Sequence, residues 1–223
     1  MSIKIGNAPC SWGVEFADDP RNPSWRQVLK ENAEAGYSGI ELGPVRVSEA
    51  EQMSADEWKV YRDRIATIAK MGAEEYGLTV GIHAHAAGFM DFEPELERLL
   101  DEVDESILKI CFDTGHHSYA GFDPVAFMQK HINRISYMHF KDIDPAVKAD
   151  VIEKRTGFYD ACGQGIFCKL GDGDVEFPTV RQTLLDAGFT GWCTVEQDCD
   201  PTGTTSPVDD ARYNREYLQS IGF

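Results

Sequence analysis

Positive charge is scarce in this chain: 21 lysines and arginines stand against 38 aspartates and glutamates over 223 residues, a formal net charge of −17. Such a surface repels phosphate backbones and anionic lipid, so neither nucleic acid nor a membrane is an expected partner. Long hydrophobic runs are also missing. No stretch approaches the roughly 20 apolar residues needed to span a bilayer, and the start Met1-Ser2-Ile3-Lys4-Ile5-Gly6 lacks the apolar core of a signal peptide. A cytoplasmic setting is the expectation. Cysteine is sparse and scattered (Cys10, Cys111, Cys162, Cys168, Cys193, Cys199), with no C-x-x-C pair to form a zinc knuckle or redox site, so the six read as reduced thiols. Neither G-x-G-x-x-G after the first strand nor G-x-x-x-x-G-K-[ST] occurs, which argues against dinucleotides and nucleoside triphosphates. Gly171-Asp172-Gly173 reads as a turn.

What is present is a regular alternation. Ile3 to Cys10 reads as a strand, and Trp25 to Ala35 as a helix with Ser24 as N-cap and Gly36 as stop. Gly39 to Leu42 is the next strand. A long helix from about Ala55 to Tyr76 opens on the capping box Ser54/Glu57 and closes at Gly77. Strands at Leu78–His85, Ile107–Asp113, Ile135–Phe140 and Gly191–Gln197 alternate with helices at Pro94–Val103, Pro124–His131, Pro178–Ala187 and Pro207–Ser220. Repeated strand–helix units imply a parallel sheet, either closed as a barrel or doubly wound.

The polar residues favour the barrel. Glu41, His83 with His85, Asp113, His139 with Lys141, and Glu196 with Asp198 all sit at the C-terminal ends of strands, five strands in total. An open sheet gathers its site at one switch point, whereas a closed (β/α) barrel brings all these ends to one mouth. A single TIM-barrel domain over residues 1–223 is therefore expected. It is short by about one helix–strand unit, because only about a dozen residues separate Leu42 from the helix near Ala55. Either the barrel is open or seven-stranded, or a segment is missing.

Residues two apart on a strand share a face, so His83 and His85, His139 and Lys141, and Glu196 and Asp198 point together into the mouth. Asp113, Glu196, a third carboxylate after the His83 strand, and His139 make an oxygen-rich set with one imidazole. That chemistry suits Mn²⁺, Mg²⁺ or Co²⁺. The plainer reading is that Asp113 caps the next segment and Glu196 is a salt-bridged strand end. Glu41, between Ile40 and Leu42, faces the interior and needs a partner there. Trp12 and Phe16 either wall a pocket or simply pack, and His117 and His131 read as surface. The long polar connection from about Asp144 to Asp172 reads as a lid in which Arg155, Phe158 or Tyr159 closes over a ligand.

Gly6-Asn7-Ala8-Pro9-Cys10-Ser11-Trp12-Gly13-Val14 resembles the opening of inosose (2-keto-myo-inositol) dehydratases, within the xylose isomerase-like superfamily of metal-dependent barrels. Gly39-Ile40-Glu41-Leu42-Gly43-Pro44, His83-Ala84-His85, Asp113-Thr114-Gly115-His116, His139-Phe140-Lys141-Asp142 and Val195-Glu196-Gln197-Asp198 extend the resemblance in order along the chain. The resemblance implies a divalent metal, Mn²⁺ first with Co²⁺ or Mg²⁺ as alternatives, held by Asp91, Asp113, His139 and Glu196. Asp91 stands where the family usually has Glu, with Glu93 close by as a substitute. His83, His85, His116 and Lys141, with Trp12 and Glu41, become substrate contacts; Glu196, Asp91, Lys141 and His116 become the catalytic set.

The implied activity is a metal-dependent lyase that dehydrates a keto-inositol, with Glu196 taking the α-proton and His85, His116 or Lys141 helping hydroxide leave. The same pocket supports a keto-sugar isomerase or epimerase acting through an enediolate. A metal- or sugar-binding protein without turnover is the third reading, and a homo-oligomer is left open. The superfamily's DNA-repair endonucleases are disfavoured by the −17 charge and only six histidines.

Overall fold

The structure, a computed structural model, describes residues 6–7, 23–42, 53–86, 90, 92–198 and 206–223, with 6–7 and 41–42 as backbone only. Two compact units divide the chain. The first takes residues 1–112, 133–138 and 190–192, and the second takes 113–132, 139–189 and 193–223.

In the first unit, β1 (Gly6–Asn7), β2 (Gly39–Leu42), β3 (Thr79–His83) and β4 (Leu108–Asp113) pair in parallel, with Gly6 opposite Gly39, Gly39 opposite Thr79, and His83 opposite Cys111. Helix α1 (Trp25–Glu34) precedes β2, α2 (Ala55–Tyr76) joins β2 to β3, and α3 (Glu93–Glu102) joins β3 to β4. The capping box of α2 is formed as its sequence demands: Ser54 N donates to Glu57 Oε2 at 2.8 Å and Glu57 N donates back to Ser54 Oγ at 3.3 Å. At the other end Gly77 takes the left-handed conformation, φ +64°, that stops a helix without a Cβ penalty. Its inner face carries Trp58, Ile65, Ala69 and Gly72, a stripe at helical spacing.

A charged knot ties α2 to α3. Glu102 accepts from Trp58 Nε1 at 3.1 Å, Arg62 at 2.8 Å and Arg98 at 2.8 Å, while the Arg98 guanidinium lies 4.3 Å over the Trp58 ring. Arg134 closes the far end by donating to the carbonyls of Leu100, Val103 and Leu108. Those carbonyls belong to the end of α3 and the start of β4, where no helical partner remains for them.

The second unit begins at the last residue of β4. Asp113 Oδ1 accepts from Gly115 N at 2.8 Å and His116 N at 2.9 Å, capping the short α4 (Thr114–Tyr119). Further along the chain come α5 (Pro124–His131), β5 (Ile135–Phe140), β6 (Asp142–Ile143), α6 (Pro145–Lys154), α7 (Phe158–Gly163), β7 (Phe167–Cys168), α8 (Phe177–Asp186), β8 (Trp192–Val195) and α9 (Pro207–Ser220), of which the start of β5 and Trp192 of β8 belong to the first unit. Phe140 packs edge-on against Phe177 and Phe223, and Phe177 against Tyr217, so β5, α8 and α9 share an aromatic core. The main sheet has the order β1-β2-β3-β4-β5-β8 among the described residues, fewer strands than a complete (β/α) barrel.

Two expectations change here. The connection from Asp144 to Asp172 is folded: β6 and β7 pair antiparallel, and with α6 and α7 they enclose a small core of Ile143, Val151, Ala161, Ile166 and Phe167. β6 and β7 are only two residues each, and α6, though ten residues long, buries only Val151 and so shows no apolar stripe for periodicity to reveal. Arg155 terminates α6 at φ +52° and Tyr159 is 61% exposed. His117 is buried rather than superficial, 4.7 Å from the Phe127 ring and 5.7 Å from Phe122, while His131 is half-buried 4.4 Å from Phe127. Imidazole, apolar on its faces, fills the gap between α4 and α5.

Candidate active site

The chemistry of the second unit centres on one lysine. Lys141 follows directly on β5 and is 1% exposed, and its Nζ lies 3.0 Å from Asp198 Oδ2, 3.0 Å from His116 Nε2, 3.2 Å from Glu196 Oε2 and 3.5 Å from Asp113 Oδ2. An ammonium only donates, so His116 accepts at Nε2 and carries its proton on Nδ1. Burial pulls the Lys141 pKa down, but Asp113, Asp198 and Glu196 outweigh it and hold the ammonium above the ordinary lysine value.

The motif Asp113-Thr114-Gly115-His116 grips this lysine residue by residue. Thr114 Oγ1 accepts from Lys141 N at 3.1 Å and donates to Lys141 O at 2.7 Å, fixing the backbone from which the side chain departs. Gly115 lets the aliphatic stem pass: a Cβ there would lie 2.5 Å from Lys141 Cγ and 2.7 Å from Lys141 Cβ. Beyond it, His116 meets the ammonium. The Phe167 ring lies under Nζ at 4.9 Å and edge-on to His116 at 5.3 Å, and Phe158 packs on His116 at 5.8 Å. The cation thus has an aromatic wall on one side and carboxylates on the other.

Glu196 is placed by the continuation of the sheet, since its N donates to Phe140 O at 3.0 Å just beyond β8. Its Oε2 lies 3.4 Å from His139 Nδ1, and the same nitrogen lies 3.5 Å from Asp113 Oδ2. Two carboxylate oxygens and an imidazole nitrogen therefore converge, with the Asp113 side chain fully buried and His139 nearly so. Capping of α4 engages Oδ1 of Asp113, while its Oδ2 faces His139. This donor set fits a divalent cation.

Other anticipated residues fall as follows. His83 ends β3 in the first unit, with its ring 5.5 Å from His85 and edge-on to it, and His85 Nδ1 donates to Ala86 O at 2.7 Å. Glu41 is placed on β2 by its backbone opposite Gly81, and Glu93 opens α3. Trp12, Phe16, Asp91, Cys10 and Cys199 lie outside the described residues.

One buried group was not anticipated. Asp142 is 0% exposed, and its two oxygens accept four backbone N–H groups: Oδ1 from Ile143 at 2.9 Å and Val175 at 3.0 Å, Oδ2 from Gly171 at 2.8 Å and Gly173 at 3.2 Å. Burial pushes its carboxyl up, and the four donors pull it part of the way back. The signal in the sequence was the pair of glycines in Gly171-Asp172-Gly173, which reads as a turn until the carboxylate that gathers it is known.

Residues 32–221 match the family described as Xylose isomerase-like TIM barrel. The rhizopine catabolism protein MocC of Rhizobium meliloti is 32% identical over 172 residues, covering 77% of this chain and 52% of that protein. An inosose dehydratase of Geobacillus thermodenitrificans is 32% identical over 164 residues, covering 74% and 54%. The chain thus spans about half the length of the curated relatives it matches. Among solved structures, a probable 3-DHS dehydratase, AsbF, from Bacillus anthracis superposes with a TM-score of 0.71 at 21% identity, over 97% of this chain and 76% of that one. The IOLI protein with a binding zinc atom superposes at 0.70 and 13% identity, over 98% and 76%, which shows a shared fold. With most of its length matched in this way, the chain belongs to the xylose isomerase-like TIM barrel family.

Proposed function

We propose that this chain is a metal-dependent carbon–oxygen lyase that removes water from a keto-inositol, 2-keto-myo-inositol, acting as one domain in the cytoplasm. The observation that carries the reading is the convergence of Asp113, His139 and Glu196 beside the buried ammonium of Lys141. Inosose dehydratases among the relatives supply the substrate class. Asp113, His139 and Glu196 would hold the metal, Mn²⁺ in the first instance, with Asp91 as the fourth ligand. When bound, such a cation polarises a ketone and its neighbouring hydroxyl and so acidifies the α C–H.

The residues of the chain do the rest. Glu196 takes the α-proton, and the C–H electron pair flows into the enediolate. Lys141, held as an ammonium by three carboxylates and oriented by His116, gives a proton to the β-hydroxyl; the C–O bond breaks and water leaves. The proton on Glu196 balances the one that Lys141 spends. Phe158 and Phe167 keep bulk water from the ammonium. His83 and His85, with Trp12 and Glu41, keep the substrate-contacting role read from the sequence.

Proton NMR of 2-keto-myo-inositol in D₂O with the Mn²⁺-loaded protein tests this. Appearance of a dehydrated diketone, lost in Glu196→Gln, is the expected result. Deuterium exchange at the α-carbon without loss of water would instead make the chain an isomerase or epimerase. Metal binding with neither would leave a binding protein.

A further inference from the structure

We infer that Asp142 is a positioning residue for Lys141, acting through the loop Gly171–Val175 and the Phe167 platform; its consequence for turnover rests on the lyase reading above. A carboxylate that is 0% exposed and accepts four backbone N–H groups is a costly choice for joining two chain segments, since burial alone opposes its charge. An apolar side chain would fill the volume, but could satisfy none of the four donors.

What the carboxylate gathers explains its place in the chain. Asp142 is the residue immediately after Lys141 and is paired with Cys168 across the β6–β7 hairpin, next to Phe167. Its oxygens hold Gly171, Gly173 and Val175, the segment that follows that hairpin. Gly173 sits so close that a Cβ would overlap Asp142 Oδ1 and Ile143 O. Thr114 therefore holds the backbone of Lys141, the loop Gly171–Val175 and Ile143 N hold the carboxylate of the very next residue, and the ring under the ammonium belongs to the strand paired with that residue. Without the clamp, both the lysine and its platform lose their fixed position. A misplacement of about 1 Å at a proton donor costs on the order of 100-fold in rate.

Asp142→Asn tests the assignment because it keeps one acceptor oxygen and turns an NH₂ toward two N–H donors. Gly173→Ala attacks the same clamp from the loop. Val180→Ala, in the buried face of α8, is the control that lowers stability elsewhere in the unit. Each full-length protein is melted, then exposed to ¹³C-formaldehyde and borohydride, and methylation of Lys141 is compared by mass spectrometry with that of the exposed Lys70 and Lys154.

The expected result is slow methylation of Lys141 in the parent chain and Val180→Ala, and a rise of about tenfold or more in Asp142→Asn and Gly173→Ala. With 2-keto-myo-inositol, kcat of those two falls by about 100-fold per folded molecule while KM stays within about twofold. If Asp142→Asn and Gly173→Ala melt lower but leave Lys141 as protected as Val180→Ala does, Asp142 is a loop anchor and the inference fails. The methylation arm needs no turnover. A parent protein inactive on 2-keto-myo-inositol would therefore count against the lyase and not against the clamp.

Discussion

Replacing Gly115 by alanine adds one methyl group, and the structure says what that methyl meets. Its carbon would stand 2.5 Å from Lys141 Cγ, 2.7 Å from Lys141 Cβ and 2.9 Å from Lys141 Cδ, where carbon atoms in contact keep about 3.5–4.0 Å. The stem must retreat by about 1 Å. A lysine with a solvent-exposed end would swing aside at little cost, but this one is held at Nζ by His116 and Asp198, both at 3.0 Å, and by Glu196 at 3.2 Å. Overpacking of this kind costs about 1–3 kcal/mol, and each charge-assisted hydrogen bond stretched out of range adds about 1.5–3 kcal/mol. A total of about 3–5 kcal/mol lowers the melting temperature by on the order of 10 °C in a chain of this size. Gly157→Ala is the internal control, because a Cβ at Gly157 meets nothing within 4 Å and φ is −66°. Calorimetry or thermal circular dichroism reads both variants. Equal melting temperatures for Gly115→Ala and Gly157→Ala would refute the claim that the lysine stem is fixed by its neighbours.

Two further outcomes follow from the titrating groups. Hydrogen bonds from Arg98, Trp58 and Arg62 hold the Glu102 carboxyl down at about 2, against an ordinary value of 4.5. Its contribution to stability is complete above about pH 4.5 and is lost as pH falls toward 2. In Glu102→Gln, urea denaturation midpoints should fall less steeply across that window; an unchanged slope would mean that the knot between α2 and α3 adds nothing. Burial pushes the thiols of Cys168 and Cys193 up to about 12 and that of Cys162 up to about 11. At pH 8 the thiolate fraction of Cys162 is roughly one part in a thousand, so iodoacetamide should label these three far more slowly in the native protein than in urea. Rapid native labelling, read by peptide mass spectrometry, would contradict that placement.

Strand ends were legible from sequence because a period of two and a terminal carboxylate or histidine leave a mark within a few residues. Asp113, His139 with Lys141, and Glu196 with Asp198 carry that mark, and in the second unit they meet at distances of 3.0–3.5 Å. The helices that open on Ser24 and Ser54 were legible for a similar reason, since a cap is a local signal. The hairpin and helices between Asp142 and Cys168 were not. Their apolar residues find partners in a small local core and on α4, and α6 buries only Val151, so no apolar stripe marks it. His117 was misplaced on the surface because the Phe127 that covers it comes from a separate helix.

By itself, then, the sequence determined the alternation of strands and helices, the acidic character, and the ordered residues that mark the family. Each of these is written in nearest neighbours along the chain. Tertiary structure alone decided what those residues do to one another: that Gly115 exists to let Lys141 pass, that Asp113 caps a helix with one oxygen and faces His139 with the other, and that Asp142 binds a loop some thirty residues away. The physical reason is that a buried charge is stable only where distant chain segments bring it donors or counter-ions, and that geometry does not exist until the chain has folded.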